Sequence, residues 1–135
     1  MQAEVAVDAY WQHYLLSNSA IRAERVAAEK FLWAYEWVYS AITGELEGHA
    51  ARVDPIELMV HLAKCAPDDM ALRYLGAGPV EDYLRRPGAD VDAVDRAARR
   101  DRRFRMALRC AWFEDSLPSS ATKRLRRFGP PLPAR

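Results

Sequence analysis

Long apolar runs are missing from this 135-residue chain, and none approaches the ~20 residues that a membrane-spanning helix requires. The first residues also lack the basic-then-apolar layout of a secretory leader, so the expected compartment is the cytosol. Cysteine is scarce, with only Cys65 and Cys110. Two thiols cannot make a disulfide framework or, alone, a structural zinc site, so two reduced and largely buried cysteines are expected. His13, His49 and His61 are scattered without metal-ligand spacing, and no cofactor is expected. No stretch shows the alternation of a strand.

What the chain does have is apolar content and charge asymmetry. Apolar residues make up 50% of it, enough for a core and against disorder. The net charge of +1 conceals opposite halves: Met1 to Asp95 holds 8 Lys/Arg against 16 Asp/Glu, and Arg96 to Arg135 holds 12 against 3. Arginine outnumbers lysine 17 to 3, which a drift in genome composition would also produce.

Periodicity points to an all-α fold, an irregular bundle or short stack of hairpins with about seven helices. Glu4 to Leu16 places Ala3, Val7, Tyr10, Trp11 and Tyr14 on one face. Ile21 to Ile42 reads as one long helix and as the core organiser. Its first apolar stripe holds Ala27, Phe31, Ala34, Tyr35, Val38 and Ile42, and its second Val26, Trp33, Trp37 and Ala41. Gly44 offers a C-cap, and Asp54-Pro55-Ile56-Glu57 a helix start. Asp68, Asp90 and Asp101 are further N-cap candidates. Phe104, Ala107, Leu108, Ala111 and Trp112 form the inner face of the last expected helix. After Asp115 prolines and basic residues take over, so the expected organisation is one helical domain, 1–115, and a basic tail, 116–135.

Between Asp68 and Leu84 the string Gly76-Ala77-Gly78-Pro79 reads as a break between two short helices. Gly76 would close the first in a left-handed conformation, Gly78 would cap the second, and Pro79 would take its first position. Glu81 would reach back to the Gly78 amide. The glycines do not read as a phosphate cradle, because Glu81 and Asp82 follow them and repel an anion.

Four groupings are candidates for function. His61 and Cys65, one turn apart near Glu57, could form a thiol–imidazole couple, but lie beside the bland reading of a surface histidine and a half-buried cysteine. Asp68, Asp69, Glu81 and Asp82 could supply oxygens to a cation, although acids at helix starts need no metal. Arg102, Arg105 and Arg109 share a helix face, with Lys123, Arg124, Arg126 and Arg127 following; this set would bind phosphates or pair with the acidic first 95 residues. Trp33 and Trp37, with Tyr39, are either core or a protein-binding patch.

The strings Ala66-Pro67-Asp68-Asp69, Leu75-Gly76-Ala77-Gly78-Pro79-Val80-Glu81-Asp82 and Ala98-Arg99-Arg100-Asp101-Arg102-Arg103-Phe104, with Ala107, Leu108 and Trp112, resemble a family of small uncharacterised bacterial helical domains. Its members share a Gly-x-Gly-Pro-Leu/Val-Glu-Asp core and an Asp-x-x-Phe helix. The resemblance implies a bacterial all-helical domain of unknown activity, brings no catalytic residues, and leaves the tail outside. The expected function is therefore non-enzymatic protein binding, of adaptor or toxin-neutralising type, with self-association included. The alternatives are a nucleic-acid-associated accessory protein using the arginine face, and a small hydrolase.

Overall fold

A computed structural model describes residues 2–45 and 53–133. The fold is all-α, with no strand among the described residues. The chain divides into two compact units, Met1–Asp54 and Pro55–Arg135.

In the first unit α1 (Ala3–Ser17) packs against α3 (Leu32–Thr43) and against the segment that leads into α3. Ala6, Val7, Ala9, Tyr10 and Trp11 are the buried face of α1. The expected single helix from Ile21 is instead α2 (Arg22–Ala27), a 3-10 turn over Ala28–Phe31, and α3. A 3-10 helix turns ~120° per residue against ~100° in an α-helix, so four such residues rotate α2 by roughly 80° relative to α3. The apolar stripes therefore do not run through: Ala28 is buried, whereas Val26 is 63% exposed. Within α3 only Ala34, Val38, Ala41 and Ile42 are buried, and Gly44 ends the helix in the left-handed region at φ 81°.

The second unit is organised by α8 (Arg102–Arg109), not by the long helix expected to serve as core organiser. Phe104, Ala107 and Leu108 are fully buried, and α8 touches α4 (Pro55–Cys65), α5 (Asp69–Leu75), α7 (Val91–Arg100) and the turn that follows α5. Asp68, Asp90 and Asp101 act as the expected N-caps, accepting from the amides of Ala71, Ala93 and Phe104.

The expected break at Gly76-Ala77-Gly78-Pro79 is corrected. The chain runs on from α5 through a π-helical turn, Gly76–Val80, into α6 (Glu81–Arg85). An α-helical Pro79 would lack its amide bond and drive its ring into the Leu75 carbonyl; the wider π turn relieves that clash. Gly76 is right-handed (φ −64°), so its role is close approach: a Cβ there would lie 2.0 Å from the Ala107 carbonyl oxygen. Glu81 does not reach back to Gly78. Its Oε1 accepts from the Trp112 amide at 2.7 Å.

The basic segment after Asp115 is partly helical. Ser119–Arg126 forms α9, which packs on α7 with Leu125 buried, and the Leu132 amide donates to the Arg109 carbonyl. Trp112 is 51% exposed rather than on the inner face, because α8 stops at Arg109 and helical periodicity no longer applies; Phe113 enters the core instead.

Candidate interaction surfaces

α3 carries the aromatic surface of the first unit. Trp33 is 38% exposed and Tyr39 44%, while Trp37 is half-buried, so these rings are not core. Trp33 and Trp37 lie one turn apart on one flank of the buried stripe. Tyr39 is two residues from Trp37, about 160° around the axis. It therefore belongs to the opposite flank with Leu32 and Tyr35, and the expected three-residue patch is not brought together. Tyr35 is held by α1, stacked on Tyr10 at 6.2 Å and 5.4 Å from the His13 ring. Burial holds the His13 imidazole below its usual pKa. Trp33, Trp37 and Tyr39 make no side-chain hydrogen bond or ring contact among the described residues.

In the second unit most of the arginines are occupied inside the unit. Asp95, on α7, is 1% exposed. It accepts from Arg124 Nε at 2.6 Å, from Arg99 Nε and Nη2 at 3.2 Å each, and from Arg127 Nη2 at 3.3 Å. Burial alone would raise the Asp95 pKa; the hydrogen bond and charge of Arg124, with the charges of Arg99 and Arg127, outweigh it and hold the carboxyl below its ordinary value. Arg124 also pairs with Asp92, and the two carboxylates raise its own pKa.

Arg126 is bound just as firmly. Its Nε lies 2.6 Å from Glu114 Oε2, its Nη2 donates to the Ala111 carbonyl at 2.8 Å, and its guanidinium sits 4.0 Å from the centre of the Phe113 ring. The Arg126 hydrogen bond, working against desolvation, lowers the Glu114 pKa. Arg109 donates to the Pro130 carbonyl. Four of the seven residues of the expected basic set are thus engaged within the unit, leaving Arg102, Arg105 and Lys123. The pairing of Arg124 and Arg127 with Asp92 and Asp95 is the intramolecular alternative to phosphate binding.

Cys65 is exposed, a correction to the two buried thiols, and neither it nor His61 makes a side-chain hydrogen bond among the described residues. Glu57 is drawn to Arg100. Cys110 is buried, and desolvation raises its pKa despite the nearby charges of Arg73, Arg109 and Arg126. Burial, then Glu81, raises the Asp82 pKa. No group of three or more His, Cys, Asp or Glu among the described residues is placed to hold a metal ion. His49 lies outside the described residues. No helix among them is long and apolar enough to cross a membrane.

A family model described as a family of unknown function (DUF6869) matches residues 22–129. The chain belongs to that family. The match takes in α9 and most of the segment after Asp115, which the Gly-Pro resemblance left outside. It also takes in Trp33 and Trp37 at one end and the Asp95 cluster at the other. No curated protein matches the chain, and no solved structure does.

Sequence reasoning missed two features. One is Asp95, whose sequence neighbours Val94 and Arg96 give no hint that it turns inward; only the basic residues 29 to 32 positions later do. The other is an open pocket of about 420 Å³ between α5 and α8, lined by Asp69, Leu72, Arg102, Arg103 and Met106. Residues so far apart in sequence leave no local motif.

Proposed function

We propose that this is a non-enzymatic protein-binding domain, of adaptor or toxin-neutralising type, whose contact is made by the indole flank of α3. The observation that carries the reading is the pair Trp33 and Trp37, one turn apart, left partly exposed with their N–H donors unclaimed by the described chain. Burying such rings against a partner recovers apolar area and an N–H hydrogen bond together, which is why tryptophan anchors interfaces. The partner is a protein presenting an apolar site within a basic rim. That choice follows from the charge of Met1 to Asp54, four Lys/Arg against eight Asp/Glu, a net of −4.

The test is affinity capture from the native cells with the full chain, a Trp33→Ala/Trp37→Ala variant, and Trp112→Ala as an exposed-aromatic control in the other unit. The expected result is one basic protein held by the wild type and by Trp112→Ala, released by salt, and lost from the double variant while far-UV circular dichroism stays unchanged. Undiminished retention by the double variant refutes the reading. Purified chain that dimerises through these tryptophans replaces it with self-association. Heparin retention lost on Arg102→Glu/Arg105→Glu would favour nucleic acid instead.

A further inference from the structure

The pocket between α5 and α8 has an unusual charge arrangement. Asp69 on α5 and Arg102 on α8 line it from opposite sides, and neither makes an ion pair or hydrogen bond among the described residues. Opposite charges that share a pocket without closing on each other leave room for a molecule carrying both signs. Arg103, the second guanidinium, is fixed: its Nε donates to the Ala63 carbonyl at 2.8 Å and its Nη2 to the Ala66 carbonyl at 2.7 Å. Those carbonyls lie at the negative end of α4 and fix the orientation of Arg103 while the guanidinium keeps its charge. The lining therefore carries two positive groups and one negative. A bare anion such as phosphate would face Asp69 uncompensated.

The rest of the lining is apolar. Leu72, 1% exposed, closes the floor, so an aliphatic group settles chiefly on the half-buried Met106 while charged groups stay near the mouth. A volume of about 420 Å³ falls within the range of small-molecule sites. Arg103 needs no reordering to accept a ligand, because two backbone carbonyls already hold it.

We propose that this pocket binds a free aliphatic α-amino acid, with its carboxylate on Arg102 and the remaining Arg103 donors, its ammonium on Asp69, and its side chain on Leu72 and Met106. The site is independent of the tryptophan flank of the other unit. The test titrates L-leucine into the 135-residue chain followed by amide NMR shifts. The comparison ligands are leucine amide, N-acetyl-leucine and inorganic phosphate, each taken to roughly 10 mM, beyond the millimolar limit of weak recognition.

Saturable shifts at Asp69, Leu72 and Met106 with leucine are expected, weakened at least about tenfold when either charge is blocked. Asp69→Asn and Arg102→Gln change exposed side chains, so each should keep the wild-type helical circular dichroism and lose the leucine response. No saturable leucine shift overturns the proposal. N-acetyl-leucine binding as well as leucine overturns the ammonium contact and makes the site a carboxylate reader. Phosphate competing equally makes it an anion site and overturns the proposal likewise.

Discussion

Replacing Gly76 and Gly78 by alanine, one at a time, should move stability in opposite directions although both glycines lie in the same π turn. At Gly76 the new methyl carbon would sit 2.0 Å from the Ala107 carbonyl oxygen and 2.7 Å from Cys110 Cβ. Ordinary carbon–oxygen contact begins near 3.3 Å, so α8 must retreat by roughly 1.3 Å. The obstacle is backbone and cannot rotate away. A retreat of that size opens a gap beside Phe104, Ala107 and Leu108, all fully buried, and a gap of ~1 Å forfeits up to half of each contact. The expected cost is therefore at the upper end of overpacking, about 3 kcal/mol. In a unit of this size that lowers Tm by roughly 12–24 °C.

At Gly78 nothing lies within 4 Å of the new carbon, and its φ is not positive. Alanine there should stabilise by about 0.5–1 kcal/mol, by removing freedom from the unfolded chain. Urea and thermal unfolding of the full chain, followed by circular dichroism, measure both. A Gly76→Ala protein as stable as wild type would refute the close approach of α8. A destabilised Gly78→Ala would refute the continuous π turn and restore a helix break.

Asp95→Asn should cost about 2–3 kcal/mol, the worth of hydrogen bonds to a buried charge, and should loosen α9 first. It stays below the penalty for stranding a buried charge because Arg99 and Arg127 are more than half exposed and can rehydrate. Hydrogen exchange of the α9 amides reads it, and unchanged protection of α9 would contradict the ion-pair anchor. Asp95 and Glu114 both bind protons less readily folded than unfolded. Their stabilisation is complete only above about pH 5–6, beyond the unfolded carboxyl values, and disappears as pH falls through their depressed values; Asp82, shifted the other way, favours the fold when protonated. An acid unfolding midpoint that Asp95→Asn leaves unmoved would exclude this linkage. Finally, a maleimide should label Cys65 quickly and Cys110 only after unfolding, because Cys110 is 6% exposed with a raised pKa. Equal labelling of both in the native chain would contradict its burial.

Features decided within a few residues were legible in the sequence. The caps at Asp68, Asp90 and Asp101, the left-handed Gly44 and the inner face Phe104, Ala107 and Leu108 follow from local preference and period. Glycine serves both a left-handed turn and a close approach, and at Gly76 only the neighbouring helix shows which. α9 escaped notice because Leu125 alone gives it an apolar anchor; the rest of its hold is electrostatic and pairs residues about 30 positions apart. The grouping of Tyr39 with the indoles failed on arithmetic, since residues two apart on a helix never share a face. Nothing local announces the pocket either, as its walls come from separate helices.

Because one carboxylate holds three guanidiniums, positions 95, 99, 124 and 127 cannot drift independently. A neutral residue at 95 would leave like charges from α7 and α9 facing one another, and a neutral pair at 124 and 127 would leave an inward acid to Arg99 alone. Related chains that abandon the acid should therefore abandon the bases with it, trading the ionic knot for an oily seam.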